Sequence, residues 1–198
     1  LIKNLWARPQ ITALITGEDE DVMSFYFQEN KDLLFRSLSE NERVEKIRRM
    51  RKSLNKETEL RDRLGINLTF PDAYKVVKDT SNFVWIEKQV TKGHLNIIAY
   101  TLPENINLDK IEERIPKIRD SIGKIYVPGR VPGSYMITER AYLPYYYKTQ
   151  VNRLDAILTK GTWEVQNDFM AGPYINYIIS DTVNKRKVVI EGFSFAPS

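Results

Sequence analysis

The sequence predicts an α+β fold, in which antiparallel sheet carries helices mainly on one face. Apolar residues recur at helical spacing in much of the first two-thirds of the 198-residue chain, and the last third has the alternating pattern of strands. A hairpin pattern also occurs twice, at residues 83–103 and 174–197, with an aromatic start, a polar turn and an exit through an aromatic residue and a proline. The two hairpins are predicted to be structural equivalents, with Trp85 and Tyr177 at comparable positions.

The first part of the chain begins with a predicted strand at residues 11–16, which is followed by helices. Four acidic residues at 18–21 precede a helical pattern. They predict the start of a helix there, because the helix dipole favours negative charge at this end. Ser39 and Glu42 form a capping box that predicts the start of a second helix. A third, short helix is predicted over residues 56–64.

Strand patterns then lead into one more helix. Residues 66–70 and 74–78 flank a Pro-Asp turn and are predicted strands. Asn107 is predicted to cap a helix that ends at Gly123, and Pro116 predicts a kink or break inside it. The apolar face of this helix consists of Ile111, Ile115, Ile118 and Ile122.

The densest proline and glycine stretch, residues 128–133, is the predicted boundary between two parts. The order of elements over residues 11–140 predicts a ferredoxin-like first part. We therefore predict a helix-containing α+β part over residues 1–128 and a mostly β part over 129–198, either distinct or packed as one continuous domain. The second part is expected to echo the first without its first helix. Its strands before the second hairpin are predicted at residues 134–140, 145–151, 154–160 and 163–168.

The chain has no cysteine and a single histidine, His94. The absence of cysteine excludes disulfides, thiolate metal sites and cysteine nucleophiles. No segment has the alternating carboxylates of a calcium loop, so we expect neither a metal nor another cofactor. His94 follows Gly93 and is interpreted as a turn-edge residue, since no nucleophile motif accompanies it as a partner for base catalysis. No catalytic residue is assigned.

The net charge of +4 is a mild basic excess, which does not favour nucleic acid as a partner. The strongest basic cluster, residues 48–52, follows glutamates at helical spacing. It is interpreted as a solvated helix face with surface ion pairs. Binding of an anionic surface or a nucleic acid through this cluster remains the alternative.

Aromatic residues in the last third are the candidate binding residues. On a strand, Tyr145 and Tyr147 would face one side and Tyr146 the other, so at least one ring is expected to be exposed beside a groove. Trp163 belongs to a segment with a Gly-Pro turn that could line a pocket. The alternative for all four rings is burial in the core. Replacing an exposed tyrosine with alanine is expected to weaken binding at little cost in stability.

Several segments resemble a family of bacterial envelope lipoproteins known only as a domain of unknown function. The resembling segments, in order, are residues 4–10, 65–71, 83–86, 133–136 and 168–173. The resemblance implies an exported protein of the cell envelope, held at the membrane only through an N-terminal lipid anchor that this chain lacks. Residues 195–197 resemble the point where the family continues into a final helix. The resemblance implies no activity.

The expected function is therefore a non-enzymatic module of the cell envelope. It would bind an envelope component or a protein partner through the aromatic surface of the second-half sheet. One alternative is a hydrolase of envelope polymers that uses paired carboxylates. The other is the binder of anionic surfaces or nucleic acid through residues 48–52.

Overall fold

A computed structural model of the chain describes residues 1–55 and 64–195. The described residues divide into two compact units, of which the first comprises residues 1–55 and 69–72. The second contains residues 64–68 and 73–195. Apart from Leu64, the helix predicted over residues 56–64 lies outside the described residues.

The first unit is dominated by one long helix, α1, which spans Glu20–Met50. Its N-cap is Asp19, whose carboxylate accepts a hydrogen bond from the backbone N–H of Val22, so the acidic helix start is confirmed. The prediction of a second helix starting at Ser39 is wrong. No glycine or proline interrupts α1, so its backbone hydrogen bonds continue past Ser39, although Ser39 and Glu42 match a capping box.

The rest of this unit includes an ion pair on α1 and a short two-stranded sheet. Arg48 pairs with Glu45 at 2.7 Å, as the spacing of the basic cluster predicted. The strand predicted over residues 11–16 is shortened to β2, Ile11–Thr12, because its partner β1, Ile2–Lys3, offers only two residues for pairing. Within the described ranges, neither helix of the structure is long and apolar enough to cross a membrane.

The second unit is an eight-stranded antiparallel sheet with a single described helix, α2, over Ile111–Tyr126. The strands follow the order β3-β4-β5-β10-β9-β8-β6, and β7 also pairs with β8. This confirms the predicted α+β class with antiparallel sheet. The strands are β3 (Lys75–Asp79), β4 (Phe83–Val90), β5 (Gly93–Pro103), β6 (Met136–Thr138), β7 (Tyr145–Val151), β8 (Leu154–Val165), β9 (Ala171–Asp181) and β10 (Arg186–Phe195).

The two predicted hairpins are confirmed as antiparallel pairs, and they lie side by side in this sheet. The first is β4–β5, the second is β9–β10, and β5 pairs with β10 between them. The predicted correspondence of Trp85 and Tyr177 is wrong. Trp85 packs against the core on the face covered by α2, whereas Tyr177 neighbours Asn176 and Ile178, which point to that face. Successive strand residues alternate in direction, so Tyr177 faces the opposite side.

The ferredoxin-like arrangement predicted for residues 11–140 is wrong. Strand β2 pairs with β1 in its own two-stranded sheet, and β10 from the end of the chain occupies the place beside β5. The proline-glycine stretch at residues 128–133 lies inside the second unit, where it connects α2 to β6. Since β5 and β10 come from either side of it, the two predicted parts share one sheet.

Four strand predictions also change. Residues 66–70 form no strand, and the strand predicted over residues 134–140 is reduced to the three residues of β6. The predicted strands at 154–160 and 163–168 form the single strand β8, because Gly161 and Thr162 continue its pairing with β9.

Helix α2 covers one face of the sheet and departs from its prediction in three ways, of which one is that it continues past Gly123 to Tyr126. Asn107 accepts a hydrogen bond from the backbone of Asp109, while Lys110 is the N-cap. The helix runs past Pro116 without a break. Proline cannot donate to the carbonyl four residues earlier, and that carbonyl, of Glu112, instead lies 3.5 Å from the hydroxyl of Tyr146.

Candidate functional site

A cavity of about 240 Å³ lies at the end of the sheet where β5 begins and β10 ends, on the α2 face. Alternate residues of β4, β5, β8 and β10 supply most of its walls, because side chains on one face of a sheet recur every second residue, and Met136 of β6 completes them. The loop after α2 and the loop after β8 close it from the side, with Gly129 and Met170 respectively. The aromatic wall consists of Trp85, Trp163, Phe193 and Phe195.

The aromatic rings are held in place by one another and by hydrogen bonds. The centroid of Trp163 lies 5.6 Å from that of Phe193 and 6.4 Å from that of Phe195. The indole N–H of Trp163 donates to the carbonyl of Ser194 at 3.1 Å, and that of Trp85 donates to the Oδ1 of Asn96 at 2.9 Å. Both indole donors are therefore used within the protein, and the rings offer the cavity apolar surface.

Glu87 and His94 form the polar side of the cavity. Both lie on the α2 face near the turn between β4 and β5, and the Nδ1 of His94 is 3.4 Å from the Oε1 of Glu87. This Nδ1 is buried and has no hydrogen-bond partner among the described residues. The side chains of Glu87 and His94 are 19% and 41% exposed, so both can meet a ligand that enters from solvent.

Arg130 ties together the two loops that flank the cavity. Its Nε and Nη2 donate to the two carboxylate oxygens of Asp168 at 3.0 and 2.9 Å. This hydrogen bonding holds the pKa of Asp168 below its usual value and raises the pKa of Arg130. Arg130 also lines the cavity, but its charge is already matched by Asp168.

The structure separates the four candidate binding residues. Tyr145 and Tyr147 are 68% and 49% exposed on the sheet face opposite α2, which confirms the predicted alternation and exposure. Tyr145 lies directly across from Lys160, which lines an open groove on that face. Tyr146 is half-buried on the α2 face, and Trp163, 3% exposed, forms part of the cavity wall. Their role in binding stays a prediction.

Sequence reasoning missed most of the cavity. It assigned His94 correctly to a turn edge but gave it no place in a site, and it did not select Glu87, Asn96 or Phe195. The available signal was two polar residues on alternate positions of an otherwise apolar strand, at His94 and Asn96. That signal indicates a site only when β10 is known to pair with β5, because this pairing places Phe193 and Phe195 beside Asn96 and His94.

Among the described residues that line the cavity, the ionisable side chains are those of Glu87, His94 and Arg130. Among the described residues that line it, Glu87 is the single carboxylate, whereas hydrolysis by paired carboxylates needs a second one nearby. Within residues 1–55 and 64–195, no three His, Asp or Glu side chains converge as ligands for a metal ion.

An antiparallel sheet with one covering helix and an aromatic cavity at its end defines this part of the chain as an α+β domain. The sequence model of a family described as a domain of unknown function, DUF4837, matches residues 53–198. The chain belongs to this family. The resembling segments from residue 65 onward lie in the matched range, and residues 4–10 lie outside it. No curated protein matches the chain.

Proposed function

We propose that the protein is a non-enzymatic binding module whose aromatic cavity holds a small apolar group of an envelope component. The observation that carries this proposal is the cavity itself, an aromatic enclosure with a few polar groups on one side. Ligand sites typically combine a mostly apolar lining with a small number of polar groups that orient the ligand.

The construction of the cavity walls supports a preformed site. Trp85 and Trp163 are fixed by hydrogen bonds, and Arg130 bridges the flanking loops. Gly129 leaves no room for a side chain, since a Cβ there would lie 2.2 Å from the Oγ of Ser134. A ligand that enters a fixed cavity does not have to order its walls, so less of the interaction free energy is lost.

The cellular setting is proposed from the resemblance to envelope lipoproteins. We infer that the protein is exported and lipid-anchored in the bacterial cell envelope. The test is to fractionate cells that produce the protein from its own gene in the presence of a labelled fatty acid. Label in a membrane-associated protein is the expected result, and an unlabelled cytoplasmic protein would contradict the proposal.

The binding proposal is tested by filling the cavity. Met170→Trp places a larger side chain in the cavity wall. Phe169→Trp is the control, because it adds the same indole at the adjacent, fully exposed position. A panel of small aromatic and aliphatic alcohols, amines and acids is screened by thermal shift, because a ligand that binds only the native state raises Tm.

Compounds that raise the Tm of the wild type are expected to raise that of Phe169→Trp equally. They should have little effect on Met170→Trp. The proposal is wrong if no compound in the panel raises Tm, or if the cavity-filling variant responds as the wild type does.

A further inference from the structure

Among the described residues that line the cavity, Glu87 is the single carboxylate, and no hydrogen bond from a described side chain reaches it. Within the described chain, His94 is the basic side chain that reaches ion-pair distance of Glu87, and its Nδ1 makes no hydrogen bond there. The other cation in the cavity lining, Arg130, is held by Asp168. The polar side of the cavity therefore combines the Glu87 carboxylate with the imidazole of His94.

The remaining walls also favour a cation over an anion. Trp85, Trp163, Phe193 and Phe195 surround the cavity, and aromatic rings attract cations placed over their faces. A carboxylate ligand would gain no such attraction and would be repelled by Glu87. A partly buried carboxylate, 19% exposed at its side chain, gains more from a matching charge than an exposed one does.

We propose that the cavity selects an ammonium group on a compact apolar body, with Glu87 as its counter-ion and the unpartnered Nδ1 of His94 as a second polar contact. This inference rests on the proposed binding function of the same cavity. The volume of about 240 Å³ limits the apolar body to about one ring or a short alkyl chain, since sites for drug-sized ligands begin near 300 Å³.

The test uses three probes that share one ring and differ in charge: benzylamine, benzyl alcohol and benzoate. Their dissociation constants are measured by calorimetry at neutral pH for the wild type, for Glu87→Gln and for a control, Glu104→Gln. Glu104 is an exposed carboxylate just after β5 and lies outside the cavity. Thermal unfolding of each variant verifies that it is folded.

The wild type and Glu104→Gln are expected to bind benzylamine about tenfold more tightly than benzyl alcohol, as a charge-assisted hydrogen bond requires. Benzoate should bind most weakly. In Glu87→Gln the preference for the amine should disappear, while the affinity for benzyl alcohol changes by less than about twofold.

Equal or weaker binding of benzylamine than of benzyl alcohol in the wild type overturns the cation inference and leaves the binding function intact. The same conclusion follows if benzylamine fails to bind while other compounds of the thermal-shift panel do bind. If nothing in the panel binds, the binding function itself fails, and the cation inference fails with it. If Glu87→Gln does not fold, the affinities of the wild type for benzylamine, benzyl alcohol and benzoate still test the cation inference.

Discussion

At the scale of single residues, an ion pair buried between α2 and the sheet fixes the helix in place. Arg119 of α2 and Glu191 of β10 are 1% and 0% exposed, and the Nε and Nη2 of Arg119 donate to the Glu191 carboxylate at 2.9 and 2.8 Å. Asn176 donates to the same carboxylate, and the ring of Tyr174 lies 3.9 Å from the guanidinium carbon. Neither charge can move without leaving the other unmatched.

Removing one member of this pair is expected to be costly. Arg119→Met should lower the free energy of unfolding by about 3–5 kcal/mol, because it leaves the Glu191 charge buried and unpaired. The double variant with Glu191→Leu should recover part of this loss. Arg140→Met, which breaks the more exposed pair with Asp120, should cost less than about 1 kcal/mol. Urea unfolding measures all three, and a loss for Arg119→Met no larger than for the control would refute the argument.

Asp181, at the end of β9, links stability to pH. Burial alone would raise its pKa, but hydrogen bonds from Asn184 and Arg186 outweigh burial and hold the pKa below its usual value. A carboxylate whose pKa is lowered in the folded state contributes stability above its unfolded-state pKa of about 3.9. This contribution is lost as the pH falls through the folded-state pKa.

Asp181→Asn should therefore lower the free energy of unfolding at neutral pH, and this deficit should shrink as the pH falls from about 5 toward 2. Asp155→Asn, at an exposed carboxylate in the neighbouring strand β8, serves as the control. Urea unfolding over this pH range provides the measurement. A deficit that stays constant with pH would show that the charge of Asp181 is not its cause.

At the scale of elements, the contact between α2 and β6 depends on Gly123. A Cβ built on Gly123 would lie 2.0 Å from the carbonyl oxygen of Met136, so the helix backbone approaches the strand more closely than any side chain permits. This explains why a glycine predicted to end the helix is instead found within it.

Gly123→Ala is expected to affect stability in the direction opposite to that of most glycine-to-alanine substitutions in helices. Alanine normally stabilises a helix by about 1 kcal/mol relative to glycine, but here it should destabilise by about 1–3 kcal/mol because α2 must shift away from β6. Ser121→Ala on the exposed side of the same helix is the control and should change stability by less than about 0.5 kcal/mol. Chemical denaturation compares the two, and a stabilised Gly123→Ala would contradict the close approach.

The elements that the sequence predicted well are those set by local periodicity. Alternation located both hairpins, and the isoleucine spacing located α2. The error at Pro116 arose from a contact with a distant element, whereas the error at Ser39 is local to α1. Pro116 is accommodated opposite Tyr146, which lies in another element, and Ser39 resembles a cap although nothing before it ends the helix.

At the scale of the whole molecule, the pairing of β5 with β10 creates the candidate site. It brings His94 directly across from Phe195, although the two residues are about a hundred positions apart. Sequence reasoning could select Trp163 from its own segment. The residues that line the cavity together with Trp163, however, are set by the strand order of the sheet. The composition of the cavity was therefore unpredictable without the topology.

The central claim, that this cavity binds a ligand, is tested most directly by the tryptophan indole N–H signals in nuclear magnetic resonance spectra. The chain has three tryptophans, of which Trp85 and Trp163 line the cavity, while Trp6 is 77% exposed in the first unit and provides an internal control. During titration with benzylamine, the signals of Trp85 and Trp163 should move with one common dissociation constant while that of Trp6 stays fixed. Cavity signals that remain unmoved at millimolar concentrations of benzylamine and of every other compound in the thermal-shift panel, or a Trp6 signal that moves equally, would contradict the account.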